Sequence, residues 1–296
     1  MLSKFLDPKN DYAFRKIFGT EKNKDILIHF LNDMLTLREG NPIEDVTFLK
    51  TVQDPEIAAR KTSIVDILCK DTKGNLFIVE MQVAKTRGFE KRAQYYAAKA
   101  YISQMRIKEE YYNLKEVIFL AIADFVMFPE KSAYKSDHVI LDKETNEQDL
   151  KDFSFTFVEL PKFDTGIENL QTMTERWCYF FKHADETTEE QFTVLSDTDP
   201  ALKHAYEELN RFSWSEEELL TYDQEMKREY DYLASIDQKF MEGKLEGREE
   251  GKLEGKLEGK LEERIEISIN LLRAGLDKEV ISKSTGLSID EINKLA

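Results

Sequence analysis

Cysteine is almost missing from this chain. Two residues in 296, Cys69 and Cys178, exclude a disulfide scaffold and a cysteine-rich zinc site. Histidine is nearly as scarce. His29, His138, His183 and His204 never fall within four residues of one another or of a cysteine, so no compact zinc motif can be written. Six prolines and twelve glycines exclude a collagenous or proline-rich chain. No apolar run approaches the roughly 18 residues of a membrane helix. The longest, Val117 to Phe128, is interrupted by Asp124. The opening Met-Leu-Ser-Lys-Phe-Leu-Asp is too polar and too short for a signal peptide. The chain therefore reads as cytoplasmic, with no membrane partner.

What is present is a foldable composition with excess charge. Hydrophobic residues make up 41% and charged residues 34%, against a usual charged share of about a quarter. The length suffices for one large domain or two modest ones. The net charge of −16 argues against a polyanionic partner, but the charge is unevenly spread. Residues 1–110 hold 19 basic and 16 acidic side chains, and the rest 23 and 42. Within 60–108 the count is 11 against 4, a net of +7. Exposed charges farther apart than a Debye length, about 8–10 Å, are largely screened, so a basic stripe on an acidic body can still bind phosphate.

The periodicity changes twice along the chain. Residues 10–18 predict a short helix capped by Asn10 and stopped by Gly19, and 22–37 a second, with Ile26, Leu27, Phe30, Leu31 and Met34 on one stripe. Strands are expected at Ile43–Val52, Ser63–Lys70 and Leu76–Val83. The last two are joined by the turn-rich Asp71-Thr72-Lys73-Gly74-Asn75 and should form a hairpin. A helix over Arg87–Lys108 and strands at Glu116–Phe125, His138–Leu141 and Phe153–Leu160 follow. Helices are expected at 167–183, 200–211 and 215–237. The fold class is α/β, a mixed β-sheet flanked by helices, followed by an all-helical C-terminal region.

Three segments are expected: 1–237 as the main domain with a helical extension, 238–263 as a connecting helix built on a Gly/Glu/Lys repeat, and 264–296 as a small helical module. In the repeat, glycine recurs every fourth residue from Gly243 to Gly259. As a helix it would stack Lys or Arg in one column and Glu in another, placing like charges at i,i+4. Each glycine adds a cost of ~1 kcal/mol relative to alanine. The tract reads either as a dimerising helix, supercoiling right-handed because its period exceeds 3.6, or as a flexible spacer. In the last segment Asp277 and Ser288 cap short helices around Gly286, the shape of a helix-turn-helix. Its final helix carries Lys294 against Asp290 and Glu291, which suits an interaction module better than a DNA reader.

The hairpin holds the chemistry. If its turn centres on Lys73, Asp66 faces Glu80. Opposed residues of an antiparallel pair have Cβ atoms about 4.5–5.5 Å apart. Two carboxylates so placed in apolar strands repel, unless one is protonated or a cation lies between them. A hard divalent ion such as Mg²⁺ prefers such oxygens. Gln82 shares a strand face with Glu80 and can orient a water or a phosphate oxygen. The helix that follows adds Arg87, Lys91, Arg92 and Lys99, with Tyr95 and Tyr96 one turn beyond Arg92. Hydrolysis of a phosphodiester, with cations steadying the developing charge, needs these residue types.

The order strand-Asp, hairpin, Glu-x-Gln, helix resembles the PD-(D/E)XK nuclease core, a restriction-endonuclease-like arrangement. More narrowly the chain resembles the Rpn-type recombination-promoting nucleases, often labelled transposases. The matching pieces run from Asn10-Asp11-Tyr12-Ala13-Phe14-Arg15-Lys16-Ile17-Phe18-Gly19 and Phe30-Leu31-Asn32, through Val65-Asp66-Ile67, Val79-Glu80-Met81-Gln82 and Arg92-Ala93-Gln94-Tyr95-Tyr96, to Val158-Glu159-Leu160-Pro161-Lys162-Phe163. The resemblance covers about residues 5–240.

It implies a metal-dependent DNA endonuclease linked to recombination or mobile elements, with Mg²⁺ or another divalent cation such as Mn²⁺. Asp66 and Glu80 would be the metal ligands and Gln82 would stand where a lysine is usual. Asp11 is an additional contact to the metal or to the carboxylate pair, or else an acid favouring the helix dipole. Lys85, Arg87, Lys91, Arg92 and Tyr95 would meet the DNA backbone. Two positions depart from the pattern. Val65 replaces proline, which matters little inside a strand. Gln82 replaces a cation, from which slow or regulated cleavage is expected. Glu159 reads as structural. The alternative is a DNA-binding or oligomerising protein whose nuclease fold no longer cuts. In either case a homo-oligomer, a dimer through the C-terminal tail, is expected.

Overall fold

The structure, a computed structural model, describes residues 3–37, 40–53, 63–105, 110–197 and 199–295. Asn10 opens the first helix as expected. Its side chain accepts the N–H groups of Tyr12 and Ala13, and α1 spans Asp11–Phe18. Helix α2, Lys24–Met34, buries the apolar stripe read from the sequence.

The mixed sheet is built from six strands. These are β1 (Val46–Phe48), β4 (Ile67–Asp71), β5 (Leu76–Gln82), β6 (Val117–Ala123), β7 (Lys135–Val139) and β8 (Phe153–Glu159), and β2 (Val52–Gln53) pairs separately with β3 (Ser63–Ile64). The spatial order is β1-β4-β5-β6-β8-β7, with β5, β6 and β8 parallel and the remaining pairs antiparallel. Every residue of β6 is buried, which explains its unbroken apolar run.

Three expectations about strands are corrected. Ile43–Val52 is not one strand but β1 and β2, separated at 49–51. Ser63–Lys70 is likewise split into β3 and β4, because Val65 and Asp66 leave the ladder. The third is the strand expected at His138–Leu141, which begins earlier, at Lys135, and ends at Val139. In the hairpin the register is as read: Ile67 pairs with Val79 and Lys70 with Leu76.

The sheet has two covered faces. Odd-numbered residues of β4 and β5, with Ile67, Phe77, Val79 and Met81 among them, join α1, α2 and the later helices in a large core. Even-numbered Leu68, Leu76 and Ile78 face α3, which spans Phe89–Ser103 and connects β5 to the parallel β6. Ala93, Ala97 and Ala100 line the buried side of α3, small enough to let the helix lie close to the sheet. The helix is shorter than Arg87–Lys108 at its start, where Gly88 takes a left-handed conformation before Phe89, and Arg106 and Lys108 lie outside the described residues.

Further helices α4 (Met173–His183), α5 (Glu189–Ser196) and α6 (Pro200–Glu208) complete the core. The segment before Met173, expected to be helical from 167, is a short 3-10 turn followed by the Thr172 capping box. Helix α5 was not anticipated. No described helix is long and apolar enough to cross a membrane.

The chain divides into two compact units, Met1–Arg228 and Glu229–Ala296. Helix α7 spans Glu216–Arg273, so the glycine repeat is helical rather than a flexible spacer. Residues 230–264 are exposed throughout. The second unit ends in α8 (Lys278–Thr285) and α9 (Ile289–Asn293), capped by Asp277 and Ser288 as read, with Gly286 left-handed between them. Ile281, Leu287 and Ile292 form its small core.

Candidate active site

The C-terminal end of β5 carries the site, the end at which open α/β sheets usually hold their ligands. Glu80 and Gln82 share parity with Leu76 and Ile78 and so face α3. Asp66 lies one position before the first β4 pair, just outside the ladder. Its carboxylate takes over a backbone partner's work. Met81 N–H donates to Asp66 Oδ2 at 3.0 Å, and Asp66 N–H donates to Glu80 Oε1 at 3.3 Å. The two acids are thus locked together by the backbone of each other's strand.

Glu80 is 3% exposed. Burial pushes its carboxyl up to about 8, and the charge of Asp66 adds to the rise. Arg92, the Asp66 N–H and Arg15 pull the other way without cancelling it. A buried acid beside a second acid is a strained arrangement in the absence of a cation.

Two arginines approach from opposite faces of the sheet. Arg15 on α1 donates from Nη2 to Asp66 Oδ1 at 2.9 Å and lies 3.6 Å from Asp11 Oδ2. Arg92 on α3 donates from Nη2 to Gln82 Oε1, and Gln82 Nε2 donates to the Met81 carbonyl at 2.9 Å. Gln82 is therefore already engaged at both ends of its amide. The Arg92 guanidinium stacks over Phe89 at 4.8 Å and over Tyr96 at 5.9 Å. Tyr96 is held above the usual tyrosine range by burial and by both carboxylates, which places it beside the same cluster.

The structure thus brings together Asp66, Glu80, Gln82 and Arg92, and reaches Asp11 through Arg15. Asp11 is half-exposed, and burial together with the Asp66 charge raises its carboxyl. Lys85 points its ammonium at the Val126 carbonyl, 2.9 Å away. Arg87, just before α3, and Lys91 and Tyr95 on the helix are exposed. Arg15 was not singled out by sequence reasoning as a site residue. Its only local signal is the i,i+4 spacing from Asp11, and its partner is 51 residues away.

The donor set suits a hard divalent cation. Each carboxylate oxygen has two acceptor positions, and the hydrogen bonds above use one apiece on Asp66 and one on Glu80 Oε1. Two carboxylates with water completing the shell are typical of Mg²⁺. Among the described residues, no group of three or more His, Cys, Asp or Glu side chains could hold a metal by itself. Any ion here would keep several waters or take oxygens from its substrate.

Glu159, at the end of β8, differs in kind. It is fully buried, and Met127 N–H and Phe128 N–H donate to its Oε1 at 2.5 and 2.9 Å. Lys162 Nζ donates to its Oε2 at 2.7 Å. All of its work is to fix the loop after β6.

A family model described as PD-(D/E)XK nuclease family transposase matches residues 8–239. The chain belongs to this family. Nucleases of the PD-(D/E)XK family generally use divalent metal ions and act on DNA. No curated protein and no solved structure matches the chain.

Proposed function

We propose that this PD-(D/E)XK protein is a cytoplasmic, divalent-metal-dependent DNA endonuclease linked to recombination or mobile elements. The observation that carries the reading is the buried Asp66–Glu80 pair at the end of β5, a costly arrangement that a cation relieves. Asp66 and Glu80 would hold Mg²⁺ or Mn²⁺, which when bound supplies Lewis acidity and a low-pKa water.

The remaining work belongs to the chain's own residues. Glu80 and Asp66 fix their mutual orientation through the Met81 and Asp66 N–H groups. Arg87, Lys91 and Tyr95 present an exposed basic and aromatic face to the DNA backbone, and Lys85 lies beside the loop at Val126. In the reaction a water oxygen bonds to phosphorus as one P–O ester bond breaks. A phosphomonoester and an alcohol result, and the water's protons pass to the alcohol and to solvent.

Nicking of a supercoiled plasmid in Mg²⁺ tests the assignment. Asp66→Ala and Glu80→Ala should each lower the rate at least ~10³-fold, the scale of losing central electrostatic stabilisation. Equal activity in all three proteins ends the site assignment. A second reading, a DNA-binding protein that does not cut, is favoured by the engagement of Asp66 with Arg15 and of Gln82 with Arg92. Salt-sensitive gel-shift binding without cleavage under any divalent ion would select it.

The tail is read as a dimerising helix. Leu245, Leu253, Leu257 and Leu261 are exposed at four-residue multiples, next to columns of opposite charge. Sedimentation should give the full chain twice its own 34.6 kDa and a truncation after Phe240 only its monomer mass. Equal monomeric masses would refute this.

A further inference from the structure

Cleaving a phosphodiester adds negative charge to a phosphate that is already anionic. At this site it would do so beside two acids. A cation of the chain aimed at that phosphate would add to what a metal supplies, and position 82, on the same face of β5 as Glu80, holds an uncharged amide. Arg15 does not fill that role, because Asp66 and Asp11 both hold it.

Arg92 does. It stands in the first turn of α3, on the face of the sheet to which Glu80 and Gln82 point. Its charge is felt by Glu80 and by Tyr96. The rings of Phe89 and Tyr96 both lie against the guanidinium and restrict its orientations. Gln82 then fixes the remaining one: its amide is anchored on the Met81 carbonyl and its oxygen receives Arg92 Nη2. An arginine offers five donors, and here Nε is buried with no acceptor among the described residues. A buried donor left unmatched calls for an acceptor beyond those of the described residues, and an anionic ligand would supply one.

We propose that Arg92 is a catalytic residue that meets the phosphate undergoing cleavage, and that Gln82 is the positioning residue that holds it there. The amide at position 82 is then the tether of a cation supplied from the neighbouring helix. This inference rests on the nuclease reading above. It also makes a claim about the metal-free site: the Arg92 charge faces the two carboxylates.

The test uses the full-length protein in four forms: wild type, Arg92→Ala, Gln82→Lys and the double variant. Two readouts are taken on each, the affinity for Mn²⁺ alone by titration calorimetry and single-turnover plasmid nicking. Arg92→Ala should tighten Mn²⁺ binding roughly threefold or more, because a like charge has left the site. It should slow nicking about 10²–10³-fold, the usual loss when one charge-stabilising donor is removed. A lysine at position 82 in that background should restore both, lifting nicking by at least ~10-fold and weakening Mn²⁺ binding again. A merely structural tie between α3 and β5 would give no such reversal.

Unchanged Mn²⁺ affinity in Arg92→Ala overturns the proposal, as does a double variant no faster than Arg92→Ala. If the wild type binds Mn²⁺ through Asp66 and Glu80 yet never cuts DNA, the nuclease reading fails and the catalytic role with it. The Mn²⁺ comparison still decides where the Arg92 charge lies. Unaltered melting of each variant, checked by circular dichroism, excludes unfolding as the cause.

Discussion

Glu80 and Glu159 lie at the same end of the same sheet, two strands apart, and both are buried. One is fully provided for. Glu159 accepts two backbone N–H groups and a lysine, so its charge is matched within the protein. The other is not. Glu80 receives one long N–H bond and faces a second acid. The difference separates a carboxylate used for building from one kept ready for a ligand. Burial alone does not distinguish them; the supply of donors does.

Removing each carboxylate should therefore move stability in opposite directions. Glu159→Ala is expected to have the largest effect. It leaves Lys162, with a side chain only 10% exposed, and two loop N–H groups without their acceptor. Breaking a buried pair on one side costs about 3–5 kcal/mol. Urea unfolding should show that loss, and Glu159→Gln, which keeps an acceptor, should lose less. A change below ~1 kcal/mol would mean that the loop after β6 does not depend on this residue.

Glu80→Gln should instead stabilise the metal-free protein at alkaline pH. The sign follows from linkage. The Glu80 carboxyl titrates near 8 in the folded chain and near 4.5 when unfolded. Its contribution is fully present below about 4.5 and is lost as pH rises toward 8. Wild-type stability without metal should thus decline across that window, and the glutamine variant should decline less. The gain should grow as pH rises through that window and appear at pH 8 as a higher Tm for the variant. Added Mg²⁺ should raise the melting temperature of the wild type and leave the variant nearly unmoved.

The carboxylate pair itself was legible in the sequence because hairpin register follows from arithmetic. Five turn-forming residues centred on Lys73 and two apolar strands leave one pairing, and Ile67 does face Val79. The break in the strand at Val65 and Asp66 was not legible. It depends on the Asp66 side chain accepting a backbone N–H, which no propensity encodes. The Arg15–Asp66 and Gln82–Arg92 contacts were not legible for a related reason. The paired residues lie 51 and 10 positions apart, and each pair depends on an arginine, Arg15 on α1 or Arg92 on α3, whose helix rotation is set by core packing. The glycine repeat, expected as a connecting helix with a spacer as its alternative, is helical for a reason that its own composition does not give. Its like-charge columns and glycines argue for a marginal helix if it must nucleate alone. As a continuation of the helix begun at Glu216, it adds only propagation steps to a nucleus already formed.

The smallest expected effect concerns Arg15, and it sharpens the contrast between the two glutamates. Glu159 is served by donors that cannot leave, two of them backbone groups and the third a nearly buried lysine. The nearest cation on Asp66 is a side chain half-exposed at 49%. An ion pair so open to water contributes about 0–1 kcal/mol, so Arg15→Gln should barely change the urea midpoint at pH 5. Its charge nonetheless favours the ionised form of Glu80. Without it the Glu80 carboxyl should titrate higher still, and the loss of stability between pH 5 and 8 should become steeper. The slope of the urea midpoint against pH measures this directly. A slope unchanged by Arg15→Gln would mean that the arginine only decorates Asp66, and that the carboxylate pair behaves as one site governed from the α3 side.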